Sequence, residues 1–304
     1  MSQINQVGFI GLGTMGKPMA LNLLKAGCQV YGNDLFPEKA QDFVEAGGIM
    51  MAGAAEVVQK ATVIFTSVPS AVNLHEILFG ENGCVEGLKE RKIFADLSTI
   101  SPSEARMFYQ KLAKKGHKFL DTPVSGGQKG AIAGTLAIMV GGDEDAFETI
   151  KPLLDIIGSE PSYMGKAGTG QATKMANQLM LGINTAGVAE ALMLGTREGV
   201  DLEKLLNVVK NGSGTSRQLM SQGENMAKDQ FPGKFPIKLI QKDFRLASQT
   251  MIEDNISLPL SSMVLQLYNA AAAVQPMAGH EGIIIALEQL NGYQVGQFGE
   301  KENS

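Results

Sequence analysis

The stretch GLGTMG, Gly11 to Gly16, follows the apolar run QVGFI and precedes the helix-like KPMALNLLKAG. Three glycines at the first, third and sixth positions of such a junction leave few folds open. Gly11 makes the tight turn, Gly13 lets the backbone approach a ligand, and Gly16 lets helix and strand pack closely. The helix start presents free N–H groups and a positive dipole end, which suit a pyrophosphate. CQVYGND reads as the next strand and ends in Asn33 and Asp34. Asp34 lies 18 residues past Gly16, where an acidic residue takes ribose hydroxyls. The expected dinucleotide cradle is therefore Gly11, Leu12, Gly13, Thr14, Met15, Gly16, Asn33 and Asp34, although an Asp at a strand end can also be a simple turn residue. Leu35 follows Asp34 where a 2′-phosphate would call for arginine, so NAD is expected ahead of NADP.

Downstream, TVIFTSV (62–68) and KIFADLS (92–98) are continuous apolar runs, as in strands buried on both faces. Helical segments alternate with them: Pro37 opens one that runs to Gly47-Gly48, AVNLHEILFG is another, and SPSEARMFYQKLAKKG starts with capping-box spacing between Ser101 and Glu104. KFLDTPVS and TLAIMVGG read as strands around a glycine-rich loop, followed by the helix DEDAFETIKPLLDIIG. This alternation predicts a doubly wound, mostly parallel α/β sheet of the Rossmann type over residues 1–166. Ligands in such sheets lie beyond the carboxyl ends of the strands. Val68 and Pro69 after one run, and Ser98 and Thr99 after the other, are thus further cofactor candidates, although Ser98 and Thr99 also suit helix capping.

From Gly168 the strand signals stop and helical periodicity takes over. Residues 169–197 read as one helix, roughly 40 Å long at about 1.5 Å per residue. Further helices are expected near 201–211, 216–228, 238–253, 261–275 and 280–291, and the tail from residue 294 as frayed. Residues 167–304 are therefore expected to form an all-α domain, joined to the first by the long helix.

Composition narrows the function. With 304 residues, 44% of them hydrophobic, the chain has core enough for two domains. A net charge of -5 gives no footprint for nucleic acid. Cys28 and Cys84 form no disulfide framework, and His75, His117 and His280 stand apart, so no metal is expected. MSQINQVGFIG lacks a signal-peptide pattern, and LMLGINTAGVAEALMLG (179–195) is interrupted by polar residues, which favours a buried helix over a membrane span. A cytoplasmic location without membrane association is expected.

The long helix opens with GTGQATKMANQ (168–178). Lys174, Asn177 and Gln178, at i, i+3 and i+4, share one face. A solvated face explains such a trio equally well. The neighbouring PVSGGQKG offers the Ser125 hydroxyl and, at Gly126 and Gly127, backbone N–H groups unobstructed by side chains, suited to a carboxylate. A flexible loop is the plainer reading of that segment. Later, Lys238 and Lys242 lie on one helix face, and periodicity does not choose between them.

In order and spacing, GFIGLGTMGKPMA, DLSTISP, DTPVSGGQKGAIAGTLAIMVGG, GTGQATKMANQ and LIQKDFRLA resemble the β-hydroxyacid dehydrogenases. That family includes 3-hydroxyisobutyrate dehydrogenase, tartronate semialdehyde reductase and 2-(hydroxymethyl)glutarate dehydrogenase. The resemblance spans residues 5–295. It implies a Rossmann domain followed by a helical domain, a dimer or tetramer, and NAD(P)-linked oxidoreduction of a small 3-hydroxy acid. It also implies that Lys174 is the catalytic acid/base. Ser125, Gly126 and Gly127 would hold the substrate carboxylate, with Asn177 and Gln178 beside it. Lys242, with Asp243 next to it, would approach the cofactor. Gln178 stands where 3-hydroxyisobutyrate dehydrogenases carry asparagine, and the Asn-Gln pair is more similar to the tartronate semialdehyde reductase branch. A lysine in this role needs partial burial to lower its pKa towards neutrality. Two alternatives share the fold: imine reductases, which usually lack the lysine, and nucleotide-binding scaffolds, which lose it. NGSGTSRQ (211–218) holds Arg217, either a ligand for a second carboxylate or a solvated residue at a capped junction.

Overall fold

The computed structural model describes residues 4–233 and 235–297; the end of the expected frayed tail, 298–304, lies outside them. By its contacts the chain forms two compact units, one up to Lys174 and one from Met175.

The first unit runs β1 (Gln6–Ile10), α1 (Gly16–Lys25), β2 (Gln29–Asn33), a 3₁₀ turn (Pro37–Ala40) continuing into α2 (Gln41–Glu45), β3 (Ile49–Met50), α3 (Ala54–Lys60), β4 (Val63–Thr66), α4 (Ala71–Phe79), β5 (Ile93–Asp96) and α5 (Pro102–Lys114). It continues with β6 (Lys118–Asp121), β7 (Val124–Ser125), α6 (Gly127–Ala133), β8 (Ala137–Gly142), α7 (Glu144–Ile157) and β9 (Ser162–Gly165). Among the described residues one sheet has the order β3-β2-β1-β4-β5-β6-β8-β7, with β9 beside β8. The pairs among β1 to β6 are parallel. β8 then runs antiparallel to β6 and β7. Alternate residues supply the two faces. Val7, Phe9, Val63 and Phe65 join one core with Leu23 and Leu154. Ile10, Ile64 and Phe94 join the other with Leu74 and Phe108. Both faces are covered, which is why these strands read as unbroken apolar runs.

One expectation needs correction. The glycine-rich segment between β7 and β8 is not a loop but holds the helix α6. Gly126 and Gly127, at φ +138° and +61°, turn the chain. QKGAIA then has helical residues enough for two turns, closed by Gly134 in the left-handed conformation.

α8 (Thr169–Arg197) begins in the first unit and continues into the second. By length and composition it is apolar enough to cross a membrane, and half of its most apolar window is buried in the protein. The second unit adds α9 (Leu202–Lys210), α10 (Arg217–Ala227), α11 (Ile237–Asp254), α12 (Pro259–Val274), a 3₁₀ turn (His280–Ile283) and α13 (Ile284–Asn291). Its core gathers Ala189, Leu192, Leu206, Ile240, Phe244, Tyr268 and Ile284. α8 approaches α11 closely at Gly182, where an added Cβ would lie 2.5 Å from the Phe244 ring. The Phe244 and Tyr268 rings meet edge to face at 5.9 Å.

Candidate functional site

At the carboxyl end of β1 the three glycines differ in what they allow. Gly11 has φ +94°, and a Cβ there would lie 2.2 Å from the Ser67 carbonyl oxygen. A Cβ on Gly16 would lie 1.9 Å from the Gly11 carbonyl oxygen. A Cβ on Gly13 would meet nothing within 4 Å. Gly11 and Gly16 are therefore required by the fold, whereas Gly13 borders open space. α1 starts behind that space, with Met15 as N-cap and no side-chain cap on its first N–H groups. Its uncapped N-terminus and the open face at Gly13 fit a dinucleotide pyrophosphate.

Asp34 is tied into the same turn. Leu12 N–H donates to its Oδ2 (2.6 Å) and Phe36 N–H to its Oδ1 (2.8 Å). Gly11 N–H donates to the Asn33 carbonyl (2.9 Å). The carboxylate is half-buried, so lone pairs remain for ribose hydroxyls. Leu35 beside it is 86% exposed and brings no cation. Across the strand ends, the Ser98 hydroxyl donates to Asp96 Oδ1 (2.7 Å) and accepts from Val68 N–H (2.9 Å). Thr66 donates to the same Asp96 oxygen (2.7 Å). The single proton of Ser98 is spent inside the protein, so this side chain ties the end of β4 to that of β5. Val68 and Thr99 are half-buried and Pro69 is exposed on the neighbouring segments.

Ser125, in β7, is half-buried and pairs in register with Ala137. Gly126 and Gly127 are exposed, and Gly126 caps α6 without any side-chain hydrogen bond. The first N–H groups of α6 have no partner within their own helix. Hydroxyl and N–H donors thus gather at one turn, as a carboxylate requires.

Lys174 lies five residues after the start of α8 and is 7% exposed. The anchor of this helix is remote in sequence. Asp121, fully buried at the end of β6, accepts from Gly168 N–H (2.7 Å) and Gln171 N–H (2.9 Å). These are the two donors that a local capping box would satisfy. Gln171 itself accepts from Ile100 N–H (3.2 Å) and donates to the Ser98 carbonyl (2.8 Å). Burial raises the Asp121 carboxyl to about 6, against the lowering effect of its N–H donors and with a further push from Asp96. Neither Asp121 nor Gln171 is evident from sequence. The available signal was the glycine ahead of α8, a weaker N-cap than serine or aspartate, which leaves the cap to come from elsewhere.

In the second unit, Gln178 is 3% exposed. Its Nε2 donates to Asp243 Oδ2 on α11 (2.7 Å) and its Oε1 accepts from Asn177 Nδ2 (2.9 Å). A carboxylate only accepts, so Asp243 fixes the amide of Gln178, which in turn fixes that of Asn177. The Asn177 carbonyl oxygen is left as an acceptor. Gln178 is therefore not a solvated residue. Lys242 Nζ stands 3.9 Å from Asp243 Oδ1, with its side chain about one-third exposed.

Similarity to known proteins runs over both units. Residues 6–165 match the family model of the NAD binding domain of 6-phosphogluconate dehydrogenase. Residues 168–287 match that described as NAD-binding of NADP-dependent 3-hydroxyisobutyrate dehydrogenase. The chain is 38% identical over 291 residues to 2-hydroxy-3-oxopropionate reductase of Escherichia coli (strain K12), covering 95% of this chain and 99% of that one. It is also 38% identical over 299 residues to 2-(hydroxymethyl)glutarate dehydrogenase of Eubacterium barkeri, covering 97% and 99%. Among solved structures, 3-hydroxyisobutyrate dehydrogenase of Mycobacterium tuberculosis with L-serine aligns with TM-score 0.87 at 31% identity, over 94% of this chain and 99% of that one.

Proposed function

The chain belongs to the β-hydroxyacid dehydrogenase family, nicotinamide-dependent oxidoreductases acting on the hydroxyl group of hydroxy acids, and on that premise we propose that it reduces 2-hydroxy-3-oxopropionate (tartronate semialdehyde) reversibly with NADH. The observation that carries the substrate reading is the pair of half-buried Asn177 and buried Gln178, held by Asp243. It leaves the Asn177 carbonyl oxygen as an acceptor, which suits a substrate with a second hydroxyl next to its aldehyde. The similarity to an enzyme named for this substrate points the same way.

Bound nicotinamide supplies the hydride to the aldehyde carbon, or removes it from the alcohol in reverse. Lys174, as an ammonium, donates a proton to the oxygen that becomes the alcohol; as an amine it takes that proton back. Aldehyde, hydride and proton thus balance to alcohol and oxidised cofactor. General acid–base catalysis of this kind contributes about 10²–10⁴-fold. Ser125 and the N–H groups at Gly126 and Gly127 bind the substrate carboxylate. Gly11 to Gly16 hold the pyrophosphate, and Asp34 holds the ribose. The fixed Asp34 carboxylate, with no cation at Leu35, favours NADH by repelling a 2′-phosphate. Lys242 contributes a positive charge near the cofactor. The chain acts as a homo-oligomer, dimer or tetramer, in the cytoplasm, with residues 1–166 as cofactor domain and 167–304 as substrate domain.

A dicarboxylate such as 2-(hydroxymethyl)glutarate is the second reading, favoured by Arg217, exposed at the start of α10. Steady-state kinetics on 2-hydroxy-3-oxopropionate, 3-hydroxyisobutyrate and 2-(hydroxymethyl)glutarate, with either cofactor, separate the readings. The highest kcat/KM is expected for 2-hydroxy-3-oxopropionate with NADH. A preference for the dicarboxylate, abolished by Arg217→Ala, would transfer the assignment.

A further inference from the structure

We propose that Asp121 is a positioning residue for the reaction, holding the first turn of α8 in place so that Lys174 stands at a fixed point of the site. The proposal rests on the role of Lys174 given above. Three observations, all within the first unit, carry it.

The first is the bonding. One carboxylate receives both Gly168 N–H and Gln171 N–H, and no oxygen of a local Ser, Thr or Asp does that work. The start of α8 is thus referred to the end of β6, 47 and 50 residues away in sequence. The second is close packing. A Cβ on Gly170 would lie 2.5 Å from the Met139 carbonyl oxygen and 2.9 Å from Asp121 Oδ2. A Cβ on Gly141 would lie 2.7 Å from Asp121 Oδ1. Helix backbone, strand backbone and carboxylate touch without intervening side chains, which leaves the helix start little freedom to slide. The third is the direction of the second anchor. Gln171, 1% exposed, ties the same turn to Ser98 and Ile100 beyond β5. Lys174 follows Gln171 by three residues and therefore stands next to it on one helix face.

A cap needed only for helix stability would not have to be a fully buried acid. Here burial and the neighbouring Asp96 oppose the charge of the carboxyl. Buried acids with perturbed pKa values cluster at functional sites. Asp121 reaches α8 from the same β6 that leads to Ser125, so one strand end sets both the lysine and the proposed carboxylate-binding turn.

The test is a double-mutant cycle on the full chain, reading NADH-linked reduction of 2-hydroxy-3-oxopropionate by native protein, Asp121→Asn, Lys174→Ala and the double variant. Asp121→Asn is expected to lower kcat about 10- to 100-fold, the range produced by displacing a catalytic group by on the order of 1 Å. KM for NADH should stay within about twofold, and the residual rate of Lys174→Ala should fall no further than that when Asp121→Asn is added. Equal proportional losses in both backgrounds would make Asp121 merely structural and overturn the proposal, as would an unchanged kcat. Full activity of Lys174→Ala would overturn the lysine's role and this proposal with it, an outcome distinct from additivity. Gln171→Met removes the second anchor without touching the carboxylate. It should show the same dependence on Lys174, and independent losses there overturn the proposal even if Asp121→Asn does not fold.

Discussion

Gly13→Ala separates ligand binding from folding in the glycine turn. The added Cβ meets no protein atom within 4 Å, and Gly13 has no positive φ to forbid it. Stability should change by no more than about 0.5 kcal/mol, as at other sites free of contacts. The methyl group would nevertheless stand where the proposed pyrophosphate approaches the backbone. Displacing the phosphate from the start of α1 weakens a charge-assisted hydrogen bond, worth roughly 1.5–3 kcal/mol. At about 1.4 kcal/mol per tenfold, NADH affinity should fall roughly 10- to 100-fold. Gly16→Ala provides the contrast. Its Cβ would lie 1.9 Å from the Gly11 carbonyl oxygen, an overlap only backbone movement relieves. That costs about 1–3 kcal/mol or more, and at about 2–4 °C per kcal/mol the Tm should fall by several degrees. NADH fluorescence titration and thermal melts of the two variants make the comparison. Native NADH affinity in a well-folded Gly13→Ala would refute the placement of the pyrophosphate over Gly13.

Two further outcomes follow from buried polar groups. Asp121 is raised from an ordinary 3.8 to about 6, so the folded protein holds its proton more tightly than the unfolded chain does. Its contribution to stability is fully present below about pH 4 and is lost as pH rises through about 6, by roughly 3 kcal/mol. Urea titrations of native protein and Asp121→Asn across this range should show native stability falling relative to the variant as pH rises; the opposite slope would contradict the burial argument. Gln178→Asn is one methylene short of Asp243 and should lose a charge-assisted bond worth about 1.5–3 kcal/mol. It should also raise KM for 2-hydroxy-3-oxopropionate, because Asn177 is no longer oriented. Unchanged stability and KM would remove the relay from the account.

The parts of the fold legible in sequence are those whose signals are local. GLGTMG between an apolar run and a helix, the unbroken apolar runs of β4 and β5, and the Ser101–Glu104 box before α5 each lie within a few residues, and the structure places them as read. α8 was legible as a single 29-residue helix because no Pro interrupts it and its glycines stand singly, at 170, 182, 187 and 195, rather than paired. Less legible were elements whose identity depends on neighbours. α6 sits in a glycine-rich segment and forms only because Gly126, Gly127 and Gly134 take positive φ at its two ends. The strand β3 has two residues and β9 is largely exposed, so neither carries a strong period. The antiparallel direction of β8 is a matter of connection, which periodicity does not encode. The same division holds for the candidate site. The expected cradle residues lie in two short segments, 11–16 and 33–34, each with a local signal of its own. The bonds from Asp121 to α8 and from Gln178 to Asp243 join residues 47 to 65 positions apart, and no spacing rule announces them. Ser98 was legible as a strand-end hydroxyl, but not its commitment to Asp96 and Val68.

On the proposed mechanism Lys174 carries the proton in the reduction of 2-hydroxy-3-oxopropionate. The measurement that tests this role most directly is single-turnover NADH oxidation with that substrate by native protein and Lys174→Ala, alongside NADH binding to each. A rate about 10²–10⁴-fold lower in the variant, with NADH affinity preserved, is expected. A variant that binds NADH and oxidises it at the native rate would contradict this role.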